Sequence, residues 1–194
     1  MADTILALAP MAGITDWPMR LLCVEQGCNY TTTEMVSAQG FLQAPDSLKI
    51  YHYLLAIHPD EPKPVVQIFG HREDYMAEAA ARLSNTGLFS GVDINMGCPA
   101  QKVVTSGAGS AMMRDPEGIG AVVRALSGAT KLPVTAKIRS GWDADSVNAA
   151  EVARICEGSG ASAGGIAFCL PHGGAQPALW AMPPYSLQKR WAAA

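Results

Sequence analysis

The chain has 194 residues, enough for one sizeable domain and marginal for two. Hydrophobic residues make up 49% and charged residues 16%, which excludes a disordered, strongly charged chain. A formal net charge of −3 excludes a global attraction to nucleic acid, so any such contact must be local.

In chain order, Ile5–Ala9 reads as a strand closed by Pro10. Asp16 is placed to cap a helix from Trp17 to Gln26, with Pro18 in its first turn and Gly27 past its end. Tyr30–Thr33, β-branched and aromatic, reads as a second strand. Ser37–Gln43 and Ser47–Leu55 read as short helices, and the prolines of 58–64 mark a loop. Val65–Phe69 is a third strand, followed by an alanine-rich helix over Arg72–Asn85. Val92–Asn95 is a fourth strand. A helix over Pro116–Ser127 carries Asp115 as its cap. Val134–Ile138 is a fifth strand, and a helix is expected over Ala144–Glu157.

Alternating strands and helices at this pitch imply a parallel α/β sheet with crossover helices. An open doubly wound sheet and a (β/α) barrel both fit. Functional-looking residues fall at the ends of the first, third, fourth and fifth strands. That spread suits a TIM barrel, where every strand end faces one mouth, better than a sheet with one switch point. Eight strands need about 250 residues, so a five-strand reading makes the barrel incomplete, with its first and fifth strands as open edges. From Gly164 the periodicity is lost, and residues 164–194 contain no Asp or Glu. This stretch is expected to be a tail foreign to the fold, left by a frameshift or truncation after about residue 163; the alternative is a genuine but irregular tail.

Five cysteines (Cys23, Cys28, Cys98, Cys156, Cys169) show no CxxC spacing, which argues against a disulfide framework or a zinc site. They point to a reducing, cytoplasmic compartment. No secretory leader is read at the N-terminus. No apolar run reaches the length of a membrane span.

The most informative stretch is Asp93-Ile94-Asn95-Met96-Gly97-Cys98-Pro99, where an apolar run ends in a turn presenting one cysteine. A thiol at a strand end can be a nucleophile, a metal ligand or a proton donor; the rest of the chain favours the donor. Cys23, Cys28 and Cys156 read as inert. His52 and His58 read as solvent-facing, and His71 as a helix-start residue.

Taken together, several motifs resemble the tRNA-dihydrouridine synthase family of flavin mononucleotide (FMN)-dependent barrel enzymes. They are residues 9–16 (APMAGITD), 33–37 (TEMVS), 66–70 (VQIFG), 93–99 with 107–111, and 137–142 (KIRSGW). The match runs in order over about residues 5–163. It implies that residues 1–163 are the N-terminal part of an FMN-binding barrel. It also implies that the loops holding the FMN phosphate and a C-terminal helical tRNA-gripping domain are absent. The implied reaction reduces uracil in tRNA to 5,6-dihydrouridine, with FMN as cofactor and NAD(P)H as reductant. By resemblance, Pro10, Met11 and Ala12 line the flavin ring, Gln67 hydrogen-bonds it, and Lys137 meets its N1 edge. Cys98 is the proton donor, and Asn95 and Arg139 hold the base. His172 falls too late to replace the family histidine. By the same resemblance the glycine-rich 106–110 segment reads as a mobile lid, with a plain surface loop as the alternative.

Each implied role has a physical reason. A thiol with a pKa near 8.5 is protonated at neutral pH yet can release its proton. A lysine inside a strand is costly unless an anion or polar ring meets it. A buried glutamine needs donor and acceptor partners, which a flavin imide edge offers. This chain alone is expected to be weakly active or inactive and to self-associate through its open edges. Two other readings stand: a dihydroorotate dehydrogenase-type FMN barrel acting on a free pyrimidine, and a non-enzymatic fragment.

Overall fold

A computed structural model of the chain describes residues 5–44 and 49–166. The elements are β1 (Ala7–Leu8), α1 (Trp17–Glu25), β2 (Tyr30–Thr31), β3 (Val36–Ser37), α2 (Ala38–Gln43) and α3 (Lys49–Leu54). They continue with β4 (Val65–Phe69), α4 (Glu73–Asn85), β5 (Gly91–Met96), α5 (Gln101–Val104), a 3₁₀ helix (Gly109–Arg114), α6 (Pro116–Ala129), β6 (Val134–Ile138), α7 (Ala149–Gly158) and β7 (Ala163–Ile166).

Local chemistry sets the helix ends. Asp16 accepts from the Met19 amide at 3.1 Å and caps α1, which has a proline in its first turn. Asp115 does the same for α6 through the Gly118 amide at 3.0 Å. Gly27, with φ of 93°, takes the left-handed conformation that lets the chain leave α1.

Every strand pairing is parallel. β1 pairs with β2, and β3 to β7 form one sheet in chain order. A parallel bridge between Thr32 and Val65 ties the two together. β2 and β3 are thus two pieces of one barrel strand, interrupted where the Thr33 amide donates to the Val65 carbonyl at 2.9 Å. Neighbours in the sheet are neighbours in sequence throughout. This is the order of a (β/α) barrel wall and excludes a doubly wound sheet with its switch point. Among the described residues the wall is partial and does not close.

The two faces of the wall differ. Val66, Ile68, Val92, Ile94, Met96, Val134, Ala136 and Ile138 point outward into one apolar cluster with α4, α6 and α7. Met76, Leu83, Ile119, Leu126 and Val152 supply the helix side of this layer, all at 1% exposure or less. Burying such a side chain contributes about 1.5–3 kcal/mol each. The alternate positions carry Gln67, Asp93, Asn95, Thr135 and Lys137 toward the barrel axis. Register places Gln67, Asp93 and Thr135 in one row and Asn95 and Lys137 in the next.

Several expectations are corrected. Among the described residues the wall has six strands rather than five: Val36–Ser37 continues the second strand, and Ala163–Ile166 adds a sixth. The fifth expected strand, β6, is therefore no open edge; β7 covers it. Gly164, Gly165 and Ile166 stand in β7, beyond the boundary expected at 163. Residues 167–194, with Cys169 and His172, lie outside the described residues. The helix expected from Ala144 begins at Ala149. A turn precedes it, in which Asp143 accepts from the Asp145 amide at 3.1 Å and Gly141 bridges Val147. His58 is not solvent-facing but half-buried, its ring stacked on Trp17 with centroids 5.1 Å apart.

Candidate functional site

The site lies at the C-terminal ends of the strands, where a barrel's loops converge. After β5 the chain turns at Gly97 and presents Cys98, which is half-buried. A Cβ on Gly97 would lie 3.6–3.8 Å from the Lys137–Arg139 backbone, so this turn packs on the end of β6. The Cys98 carbonyl accepts from the Ser110 amide at 2.9 Å. Gly109 has φ of 60°, and a Cβ there would come within 2.6 Å of the Cys98 carbonyl oxygen. Only glycine allows this approach. In this conformation Gly109 and Ser110 of the 106–110 segment are buried, and Gly107 lies against the His71 ring.

Beneath Cys98 runs a continuous hydrogen-bonded chain. The Gly97 and Cys98 amides donate to Asn95 Oδ1 at 3.2 and 2.9 Å. Asn95 Nδ2 donates to Gln67 Oε1 at 2.9 Å. Gln67 Nε2 donates to Asp93 Oδ2 at 2.7 Å, and Thr135 Oγ1 donates to Asp93 Oδ1 at 2.5 Å. Burial pushes the Asp93 carboxyl up from its ordinary value, while the Gln67 and Thr135 donations and the Lys137 charge pull it down. Burial, and then the Asp93 charge, push the Tyr30 phenol up as well.

The other expected residues fall as follows. Lys137 is half-buried on β6, beside Asn95 in register and close enough to Asp93 to act on its charge. Arg139 is 7% exposed, and its Nε has no hydrogen-bond partner. Ser110 Oγ, also buried, has none either. Two such orphans flanking one turn fit a polar ligand that would meet them. Pro10, Met11 and Ala12 form the loop after β1, with Met11 and Ala12 exposed. Thr15 holds that loop, its Oγ1 accepting from the Met11 amide at 3.0 Å. Buried Glu34 accepts from the Gly13 amide. The structure thus brings Gln67, Asn95, Cys98 and Lys137 together, with Arg139 against the same turn.

Sequence reasoning missed four contributors. Asp93 and Thr135 complete the buried chain; the signal available was a charged residue inside an apolar strand two positions before Asn95. Buried Arg20 pairs with Glu61 at 2.5 Å and donates to the Thr15 carbonyl at 2.9 Å, bracing the loop after β1. Its partners stand far away in sequence, which leaves no local signature.

The four basic residues nearest the mouth divide by burial: Lys102 and Arg114 are exposed, Lys137 and Arg139 are not. Arg114 stacks over Trp142 at 4.3 Å. Among the described residues there is no cluster of three or more residues able to hold a metal. No helix among them is long and apolar enough to cross a membrane.

Comparison with known proteins supplies a further finding. The family model "Dihydrouridine synthase" matches residues 7–166. The chain is similar to tRNA-dihydrouridine synthase B of Xanthomonas axonopodis pv. citri, 44% identical over 158 residues, covering 80% of this chain and 46% of that protein. It is 40% identical over 176 residues to the Klebsiella pneumoniae protein of that name, covering 88% and 53%. A probable tRNA-dihydrouridine synthase of Rhodobacter capsulatus is 42% identical over 160 residues, covering 81% and 48%. The chain spans about half the length of the curated relatives it matches.

Proposed function

This chain belongs to the dihydrouridine synthase family, and from that premise we propose that its site reduces uridine in tRNA to 5,6-dihydrouridine. The observation that carries the reading is Cys98 at the strand-end turn, held above a polar barrel axis that contains Lys137, in a turn packed on the backbone of Arg139, whose Nε is unpartnered. An apolar or fully self-satisfied axis would not support it.

The residues fit FMN. Lys137 offers a cation in the barrel interior, where a polar ring edge would compensate its burial. Gln67 keeps one N–H and one lone pair beyond those spent on Asp93 and Asn95, which suits an imide edge. Pro10, Met11 and Ala12 present backbone and an exposed thioether from the loop after β1. A flavin held by these residues would supply hydride chemistry at uracil C6, with NAD(P)H as the reductant.

The remaining chemistry belongs to this chain. Negative charge arriving at C5 is quenched by the Cys98 thiol acting as general acid. The turn over Asn95 Oδ1 aims that thiol. Arg139 Nε–H donates to a uracil carbonyl and so balances charge spreading onto oxygen. Asn95 contributes its second Nδ2 hydrogen, which here faces only the weak acceptor Met35 Sδ at 3.6 Å. The tRNA is the partner, the flipped uridine the reacting group, and the cytoplasm the compartment.

The test is a flavin titration of the purified 194-residue chain, read by visible absorbance and fluorescence quenching, followed by NADPH and unmodified tRNA. Stoichiometric binding and dihydrouridine formation support the reading. Cys98→Ala should then keep the flavin and lose about 10²–10⁴-fold in uridine reduction. A chain that folds but takes up no flavin would overturn the reading for this chain. Turnover of free dihydroorotate without tRNA would favour the free-pyrimidine alternative.

A further inference from the structure

The hydrogen-bonded chain under Cys98 has a direction, and both its ends fix it. At the top, the Gly97 and Cys98 amides can only donate, so Asn95 must present Oδ1 upward and Nδ2 downward. At the bottom, Asp93 Oδ1 accepts from Thr135 and Oδ2 from Gln67 Nε2, which leaves Gln67 Oε1 to face Asn95. Two primary amides, each free in principle to invert, are thus held in one orientation. Asp93 Oδ1 takes the Thr135 hydroxyl, which anchors the carboxylate to β6. Asp93 is 7% exposed and hydrogen-bonds Gln67 and Thr135 rather than the Cys98 turn itself.

We propose that Asp93 is a positioning residue: its carboxylate, acting through Gln67 and Asn95, fixes the turn that presents Cys98. Its value for catalysis rests on the reading above; its effect on the turn does not. Remove the acceptor, and the Gln67 amide is free to rotate. Asn95 then loses its lower partner and holds the 97–98 turn less firmly. Replace it with asparagine, and an Oδ1 still accepts from Gln67 while the new amide donates to the Thr135 oxygen.

The experiment measures the rate at which iodoacetamide alkylates Cys98, by peptide mass spectrometry on the ligand-free chain. Asp93→Leu, Asp93→Asn and Thr135→Val are compared with the parent. Cys23, half-buried on α1, is the internal reference for general loosening. Asp93→Leu should raise the Cys98 rate about fivefold or more, the equivalent of one net hydrogen bond, with Cys23 unchanged. Asp93→Asn should stay within about twofold of the parent, since it rebuilds the chain. Thr135→Val should do the same, because Asp93 still accepts from Gln67. An unchanged Cys98 rate in folded Asp93→Leu overturns the proposal. So does a rise shared by Cys23, or an equal rise in Thr135→Val. Should Asp93→Leu not fold, Gln67→Met breaks the same link from above, and the same fivefold rise or its absence decides. The readout needs neither flavin nor tRNA, so a failed flavin titration and a failed positioning role give separate results.

Discussion

The two faces of the barrel wall are built from the same strands yet obey different rules. Outward, β4, β5 and β6 carry Val66, Ile68, Val92, Ile94, Met96, Val134 and Ile138, each at 3% exposure or less and packed on helices. Inward, the residues between them are Gln67, Asp93, Asn95, Thr135 and Lys137, joined by hydrogen bonds and charge. Parallel strands covered on both sides ordinarily read as unbroken apolar runs. Here one face holds the fold and the other tolerates polar burial to hold a site. The lesson is that a wall can separate stability from chemistry at single-residue spacing.

Four experiments would break or sharpen that contrast. Ile94→Ala on the outer face should cost about 2–5 kcal/mol in urea unfolding, the range for truncating a buried aliphatic side chain. A cost under about 1 kcal/mol would mean that the helix layer is loosely packed. On the inner face, Gln67→Met strands the Asp93 and Asn95 groups it now satisfies, at about 1–3 kcal/mol. It should also weaken flavin uptake, whereas folded Ile94→Ala should not; equal loss of flavin in both would erase the division between faces.

Asp93→Asn should show its effect in pH dependence. Burial raises the folded carboxyl above its ordinary 3.8, so the folded chain holds this proton more tightly than the unfolded chain. Between those two values stability falls as pH rises, and above the folded value it is level. Asparagine removes that term. Its stability relative to the parent should therefore improve as pH rises from about 4, read as unfolding midpoints. A relative loss as pH rises would show that the Gln67 and Thr135 hydrogen bonds and the Lys137 charge outweigh burial. The smallest change is Cys98→Ala, within about 0.5 kcal/mol of the parent in stability because the thiol is half-buried and its turn is held by backbone. A larger loss would make the cysteine structural.

The strands with branched apolar residues, such as Val65–Phe69 and Val134–Ile138, were legible because packing demands those side chains. β7 was not, since the Gly164-Gly165 pair carries no strand preference of its own and pairing with β6 specifies it. The interruption between β2 and β3 likewise depends on Val65, a partner thirty residues away that no local pattern announces. Cys98, Gln67, Asn95, Lys137 and Arg139 were singled out through motif context, and the structure brings them to one turn. Asp93 lay inside a quoted motif without a role, because its meaning depends on Gln67 and Thr135 across two strand boundaries. At Gly109 the glycine has a steric reason that no sequence pattern announced: it lets the chain approach the Cys98 carbonyl.

The chain-order sheet also sets a timetable. Each strand's partner is the strand made just before it, so the wall can extend from one edge as the polypeptide is synthesised. Asp93 follows Gln67 by 26 residues and can take that amide at once, but Thr135 comes 42 residues later. At about 5–20 residues per second, the newly made carboxylate waits roughly 2–8 seconds for the hydroxyl and the lysine that β6 brings. The cysteine turn is therefore complete only after the following strand has docked. A ribosome-bound chain stalled between β5 and β6 would hold the motif without its support.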